Sequence, residues 1–237
     1  MQRYFSQRRQ AGYFELPDDD IYHIKTVMRM KSGDQIEVVY QEQVYLSCIE
    51  IVNNIYKIRQ IEKLEQGVQH IPEIILCIPL LKEAKMDFVI QKATELGVGR
   101  IIPLKTVRSI VKLDQTREQK KLMRWQKIAK EASEQAKRIT IPVIEPVQTL
   151  SDLEKISALK LVCSTVAMEN NLSNLLQMHR TCDRILVVIG PEGGLSSEEE
   201  EQLVAMNFHQ VRLGNNIMRV ETVPIFFLSV INYEYME

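Results

Sequence analysis

The stretch Arg184–Leu195 reads RILVVIGPEGGL. The run Ile185-Leu-Val-Val-Ile189 shows no polar alternation, the pattern of a strand covered on both faces. Gly190, Pro191, Gly193 and Gly194 follow at once and end the strand in a tight loop. Ser196-Ser-Glu-Glu199 then has the spacing of a capping box and opens a helix. Strand, glycine loop and helix together make a repeating unit of α/β domains.

The same alternation extends upstream. Ile74–Leu81, Ile101–Thr106 and Leu159–Thr165 are strand-like and largely apolar. Between them Met86, Val89, Ile90, Ala93 and Leu96 form one helical stripe that stops at Gly97, and Leu122, Trp125, Ile128, Ala132 and Ala136 mark a longer helix. The spacing predicts an α/β domain on a mainly parallel sheet. In such sheets ligands bind beyond the carboxyl ends of the strands, where Gly190–Leu195 falls. By itself the loop reads equally as a glycine turn that holds nothing. It has no Gly-Lys-Ser/Thr and no GxGxxG, so a ligand there is neither a P-loop nucleotide nor a classical dinucleotide. A second turn of the same kind is Leu213-Gly-Asn-Asn-Ile-Met-Arg-Val-Glu-Thr222, which leaves a short strand, turns at Gly214 and enters an apolar C-terminal helix.

Residues 1–69 differ in pattern. Asp34–Tyr40, Gln43–Val52 and Tyr56–Ile61 alternate like antiparallel strands, and His23–Arg29 reads as a short helix. A small β-barrel is expected. Gln66–Pro72 is polar, contains Gly67 and Pro72, and is the expected linker, so the domains are 1–69 and 70–237.

Composition narrows the class. A chain of 237 residues, 45% hydrophobic and 26% charged, is ordinary for a globular protein. No apolar run reaches membrane-span length and no h-region follows Met1, so the chain reads as cytoplasmic. Cys48, Cys77, Cys163 and Cys182 are scattered, and neither a disulfide framework nor a metal site is expected. Charge is uneven: residues 71–140 hold 15 Lys+Arg against 8 Asp+Glu, and residues 141–237 hold 6 against 13. Lys120, Lys121, Arg124, Lys127, Lys130, Lys137 and Arg138 give the long helix a basic face, which suits either phosphate contact or plain solvation.

Taken in order along the chain, these motifs resemble the RsmE family. The matching residues are Gly190–Leu195, Leu213-Gly214, Ile217-Met-Arg219, Glu221-Thr222, Lys92–Val98, Arg108–Lys112, Ile128–Arg138, Arg3-Tyr-Phe5 and His23–Asp34. The resemblance implies a PUA-like barrel followed by a SPOUT methyltransferase domain with a C-terminal trefoil knot, homodimers, and methylation of uridine N3 in 16S ribosomal RNA of the small subunit. It implies S-adenosylmethionine held by Gly190, Pro191, Glu192, Gly194, Leu195, Leu213, Gly214, Ile217, Met218 and Arg219. The chain departs from the family at Met218, Val223, Pro224 and Tyr22. Pro224 fits only if it lies in the first turn of the last helix.

The reaction asks for help in removing the N3 proton and for stabilisation of negative charge on the flanking carbonyl oxygens. Arg219 is the candidate for stabilising that charge, with a structural ion pair to Glu221 or a cap contact beneath the knot as the alternative. Glu192 and Glu221 are the candidates to accept the proton, with Glu192 holding the glycine loop in shape through backbone N–H groups as its alternative, and neither is assigned as the base. Candidate RNA contacts are Arg3, Arg8, Arg9, His23, Lys25, Arg29, Lys92, Arg108 and Arg138, which set affinity through phosphate rather than reading bases.

Overall fold

The computed structural model describes residues 1–65, 67, 71–109, 111, 115–165 and 171–235. Four residues of the expected linker (Gln66, Val68, Gln69 and His70), and Ile110 and Lys112 of the 108–112 motif, lie outside them. The chain folds as two compact units, Met1–Val68 with Ser133–Thr140, and Gln69–Ala132 with Ile141–Glu237.

The first unit is a six-stranded sheet. Its strands are β1 (Arg3–Phe5), β2 (Arg8–Gln10), β3 (Tyr13–Glu15), β4 (Gln35–Tyr40), β5 (Gln43–Val52) and β6 (Ile55–Leu64), in the order β1-β4-β5-β6-β3-β2. β1 and β2 occupy opposite ends of that order yet are adjacent in the chain, so the sheet curls into a barrel. Ser6 makes the corner, its hydroxyl facing the carbonyls of Arg8 and Glu15 at 2.7 Å. Tyr4, Phe14, Ile24, Ile36, Val38, Ile49 and Ile58 fill the interior. The helix expected at His23–Arg29 starts earlier, as α1 (Asp18–Tyr22), and continues as a π turn over His23–Val27. Pro17 stands before α1 and Asp18, Asp19 and Asp20 fill its first turn, which favours that earlier start.

The second unit alternates strand and helix: β7 (Glu73–Pro79), α2 (Glu83–Glu95), β8 (Arg100–Leu104), α3 (Gln115–Gln135), β9 (Val143–Ile144), a 3-10 turn (Leu150–Lys155), β10 (Leu159–Cys163), α4 (Leu172–Met178), β11 (Arg184–Val188), α5 (Ser197–Ala205), β12 (His209–Val211) and α6 (Thr222–Tyr235). All six strands are parallel, in the order β12-β10-β11-β7-β8-β9. Alternate residues of the central strands go to opposite faces. Ile74, Leu76, Ile78, Ile185 and Val187 pack with α2, α3, α4 and α6, while Ile75, Cys77, Leu186 and Val188 pack with α5 and the 3-10 turn. The continuous apolar run of Arg184–Leu195 is therefore a strand buried on both sides.

One boundary of this unit differs from the expectation. The long helix stops at Gln135, short of Ala136. Lys137 takes a left-handed φ of 60°, and the Arg138 N–H closes back on the Ser133 carbonyl at 2.9 Å. Pro224 is the third residue of α6, inside its first turn, as its fixed φ requires.

Candidate functional site

A cleft of about 730 Å³ opens at the carboxyl ends of β10, β11 and β12, within the size range of a cofactor site. Its walls are the loop Ile189–Leu195, the segment Arg212–Val220, and Cys163–Thr165. The topology brings these together: β12 lies beside β10 at the sheet edge, and the chain then returns so that α6 packs on α2, which follows β7. The segment between β12 and α6 thus faces the loop after β11.

The glycines of the first loop serve different ends. The Gly194 N–H donates to the Pro191 carbonyl at 2.8 Å, and Gly194 takes φ 72°, where a side chain is strained. A Cβ on Gly190 would stand 3.3 Å from both the Leu195 nitrogen and its Cγ, so smallness, not φ, is what Gly190 provides. Arg108 braces the loop, its Nη1 donating to the carbonyls of Gly193 at 2.7 Å and Leu195 at 3.1 Å. In the second segment Arg212 Nε donates to the Gly214 carbonyl at 2.9 Å, and Gly214 faces open space.

Ser196 caps α5, with the reciprocal bonds that its spacing predicts. The partner carboxylate, Glu199, is buried; Oε2 accepts from the Ser196 N–H at 2.9 Å and Oε1 from the Val107 N–H at 2.8 Å. Glu199→Ala would leave the buried Ser196 N–H and the part-buried Val107 N–H without their acceptors, at about 1–3 kcal/mol each, the Val107 N–H at the lower end. The expected result is a loss of about 2–4 kcal/mol in urea unfolding, with Glu199→Gln losing less because its amide oxygen keeps one bond.

The charged groups of the cleft meet at Lys85, in the first turn of α2. Its Nζ lies 2.5 Å from Glu192 Oε1 and 3.2 Å from Glu221 Oε2. The second contact is an ion pair by distance, without hydrogen-bond geometry at Oε2. The hydrogen bond to Glu192, and then the pairing with Glu221, raises the Lys85 ammonium. Glu221 is held below the usual carboxylate range by its own backbone N–H, and Lys85 adds to this against the opposing effect of burial. The ion pair of Arg219 with Glu221 considered above is not formed: Glu221 pairs with Lys85, and the Arg219 side chain is exposed at the cleft. Burial pushes the thiol of Cys163, at the cleft wall, up to about 12, which disfavours its thiolate.

An RNA methyltransferase domain model matches residues 69–232, and an RNA methyltransferase PUA domain model matches residues 16–56. Ribosomal RNA small subunit methyltransferase E of Bacillus subtilis is 33% identical, over 99% of this chain and 97% of that one. The chain belongs to the ribosomal RNA small subunit methyltransferase E family. The member from Mesomycoplasma hyopneumoniae is also 33% identical, over 97% of this chain and 98% of its own. The member from Neisseria gonorrhoeae, solved bound to S-adenosyl methionine, superposes with a TM-score of 0.88 at 26% identity, covering 99% of this chain and 98% of that one.

Within this ribosomal RNA small subunit methyltransferase E fold, Gly190, Pro191, Glu192, Gly194, Leu195, Leu213, Gly214, Ile217, Met218 and Arg219 all line the one cleft. Glu221 reaches it through Lys85. The RNA candidates are spread over both units. In the first, Arg8, Lys25 and Arg29 are exposed, and Arg9 is exposed with its guanidinium 5.5 Å from the Tyr45 ring centre. Arg3 is mostly buried, 2.8 Å from Glu37, and also donates to the Lys137 carbonyl. Burial acts against Glu37 ionising, but hydrogen bonds from Lys137 and Arg3 outweigh it and hold that carboxyl below its ordinary range. His23 Nδ1 lies 2.9 Å from the Tyr4 hydroxyl. Burial lowers the Arg138 guanidinium to about 10. In the second unit Lys92 is paired with Glu95 at 2.8 Å, and Arg108 is exposed but holds the glycine loop. Among the described residues no group of three or more His, Cys, Asp or Glu is placed to hold a metal ion, and no helix is long and apolar enough to cross a membrane.

The sequence reading missed Lys85, and it placed Glu199 in the capping box without its second bond, to the Val107 N–H. The signal for Glu199 was the capping box itself; for Lys85 there was none, because Glu192 and Glu221 are its neighbours only in space.

Proposed function

We propose that this protein transfers a methyl group from S-adenosylmethionine to N3 of a uridine in 16S ribosomal RNA of the small subunit. The observation that carries the reading is the cleft between two glycine turns at the carboxyl ends of β10, β11 and β12, in a chain whose relative is solved with that cofactor. The lining suits the group: backbone of Gly190, Gly194, Leu213, Gly214 and Ile217 meets its polar parts, and Leu195 and Met218 form apolar walls. When bound, S-adenosylmethionine supplies a methyl already activated as a sulfonium.

The burden on the protein lies with the acceptor base. Arg219 stabilises the negative charge that develops on the uracil carbonyl oxygens as N3 attacks. The N3 proton passes to one of the two carboxylates joined by Lys85, Glu192 or Glu221. Residues 1–69 serve as the PUA-like RNA-binding domain and residues 70–237 as the SPOUT domain. Arg8, Arg9, Lys25 and Arg29 are the most accessible phosphate contacts of the first unit, where Arg3, His23 and Arg138 support them, and Lys92 and Arg108 are the candidates of the second unit. The return of the chain from β12 to place α6 on α2 supports a C-terminal trefoil knot. The exposed apolar residues Phe226 and Tyr233 on α6, with Phe88 on α2, support a homodimer. The enzyme acts in the cytoplasm, where its substrate is assembled.

The test incubates the purified protein with methyl-labelled S-adenosylmethionine and small ribosomal subunits stripped of the modification. Label is expected in N3-methyluridine after nuclease digestion. Label in a ribose methyl, or none with cofactor bound, contradicts the reading.

A further inference from the structure

Lys85 touches both turns of the cleft from a third element, α2. Its partners come one from each side: Glu192 lies in the loop after β11, and Glu221 immediately precedes α6 at the end of the segment after β12. No backbone hydrogen bond joins Ile189–Leu195 to Arg212–Val220 among the described residues. We propose that Lys85 is a positioning residue that holds the two arms of the cofactor cleft together, by pairing at one ammonium with a carboxylate from each arm. This rests on the reading of the cleft as the S-adenosylmethionine site.

Removing the ammonium does more than delete two contacts. Glu192 and Glu221 are left as neighbouring carboxylates with no cation between them, and like charge drives the arms apart. The other charged side chains that line the cleft are Glu200 from α5, and Arg212 and Arg219 from the second segment, with Arg108 behind the first loop. Of these, Arg219 acts on Glu221 through space, and among the described residues no ion pair to either carboxylate replaces that of Lys85. The partners are each partly exposed, so the effect is moderate rather than complete.

The sign with pH separates a charge clamp from mere packing. In the native protein the clamp needs both carboxylates ionised. Glu221 is held below its ordinary range, so the clamp is intact at neutral pH and fails as pH falls through the carboxylate range. Without Lys85 the order reverses, because protonating one carboxylate relieves the repulsion.

Calorimetric titration of S-adenosylmethionine into the full-length protein tests this without turnover. Lys85→Met is expected to weaken binding by about five- to tenfold near neutral pH, and most of that loss is expected to disappear at about pH 5. Native affinity is expected to hold down to about pH 5, because Glu221 stays ionised below its ordinary range. Lys85→Met combined with Glu192→Gln recovers affinity to within about threefold of native, and Lys85→Arg stays within about twofold, since both remove the uncompensated charge. The apoprotein melting temperature of each variant checks that the fold persists. A Lys85→Met protein that binds as well as native or better overturns the proposal. So does a loss that neither acid nor the second substitution relieves, or an equal loss in Lys85→Arg. A native protein that binds no S-adenosylmethionine overturns the reading of the cleft itself, and the clamp with it.

Discussion

Arg219→Ala is expected to lower the rate of methyl transfer by about 10²–10³-fold while S-adenosylmethionine affinity stays within about threefold. The reason is where the side chain stands. Arg219 lines the cleft, is exposed, and its neighbour Glu221 is already paired with Lys85. A guanidinium that lines the cleft and forms no ion pair among the described residues is available for charge that appears only during reaction. Its backbone does something separate. The Arg219 carbonyl accepts from the N–H groups of Thr222 at 2.8 Å and Val223 at 3.2 Å, which starts α6. Alanine keeps those bonds, so the loss should fall on the chemical step and not on the fold. Single-turnover rates at saturating cofactor and RNA check this. A normal rate in Arg219→Ala means that charge on the uracil oxygens is stabilised elsewhere.

Gly190→Val is the second large effect, and it acts on the cofactor. A Cβ at Gly190 would sit 3.3 Å from the Leu195 backbone nitrogen, which is part of the loop and cannot swing away as a side chain tip could. Overpacking of this kind costs about 1–3 kcal/mol, and opening the loop to relieve it displaces the cofactor wall. Affinity for S-adenosylmethionine is expected to fall by at least about thirtyfold, with a lower melting temperature. Gly214→Val is the informative companion. Nothing lies within 4 Å of a Cβ there and its φ is not in the left-handed region, so the apoprotein should melt normally. Loss of affinity at Gly214 with unchanged melting therefore reports a collision with the ligand. Equal affinities for native, Gly190→Val and Gly214→Val would place the cofactor somewhere else.

The α/β half of the molecule was legible because its strands are apolar runs. Ile74–Leu81 and Arg184–Gly190 need no partner to be recognised, and both are found as strands a residue or two different in length, β7 and β11. The barrel was legible only where strands are long. β4, β5 and β6 lie on the expected spans, with β6 running on to Leu64, whereas β1, β2 and β3 span three residues each and β2 is exposed throughout, so no periodicity can develop. The end of α3 was misplaced because no glycine marks it: Lys137 adopts the left-handed conformation that glycine usually supplies.

In the site, motifs named the loops but not the bonds within them. The glycines of Gly190–Leu195 could be counted, yet only coordinates separate Gly190, where a neighbour is close, from Gly194, where φ is positive. Arg219 and Glu221 are two residues apart and invited a local ion pair. The partner of Glu221 is instead Lys85, which contacts Glu192 across 107 positions of sequence. Contacts that long carry no local signal.

The most direct test of the central claim is mass spectrometry of nucleosides from 16S ribosomal RNA of a strain lacking this protein. N3-methyluridine is expected to vanish from the mutant and to return when the native protein, but not Arg219→Ala, is supplied. N3-methyluridine intact in the mutant, with a 2′-O-methyl lost instead, contradicts the account.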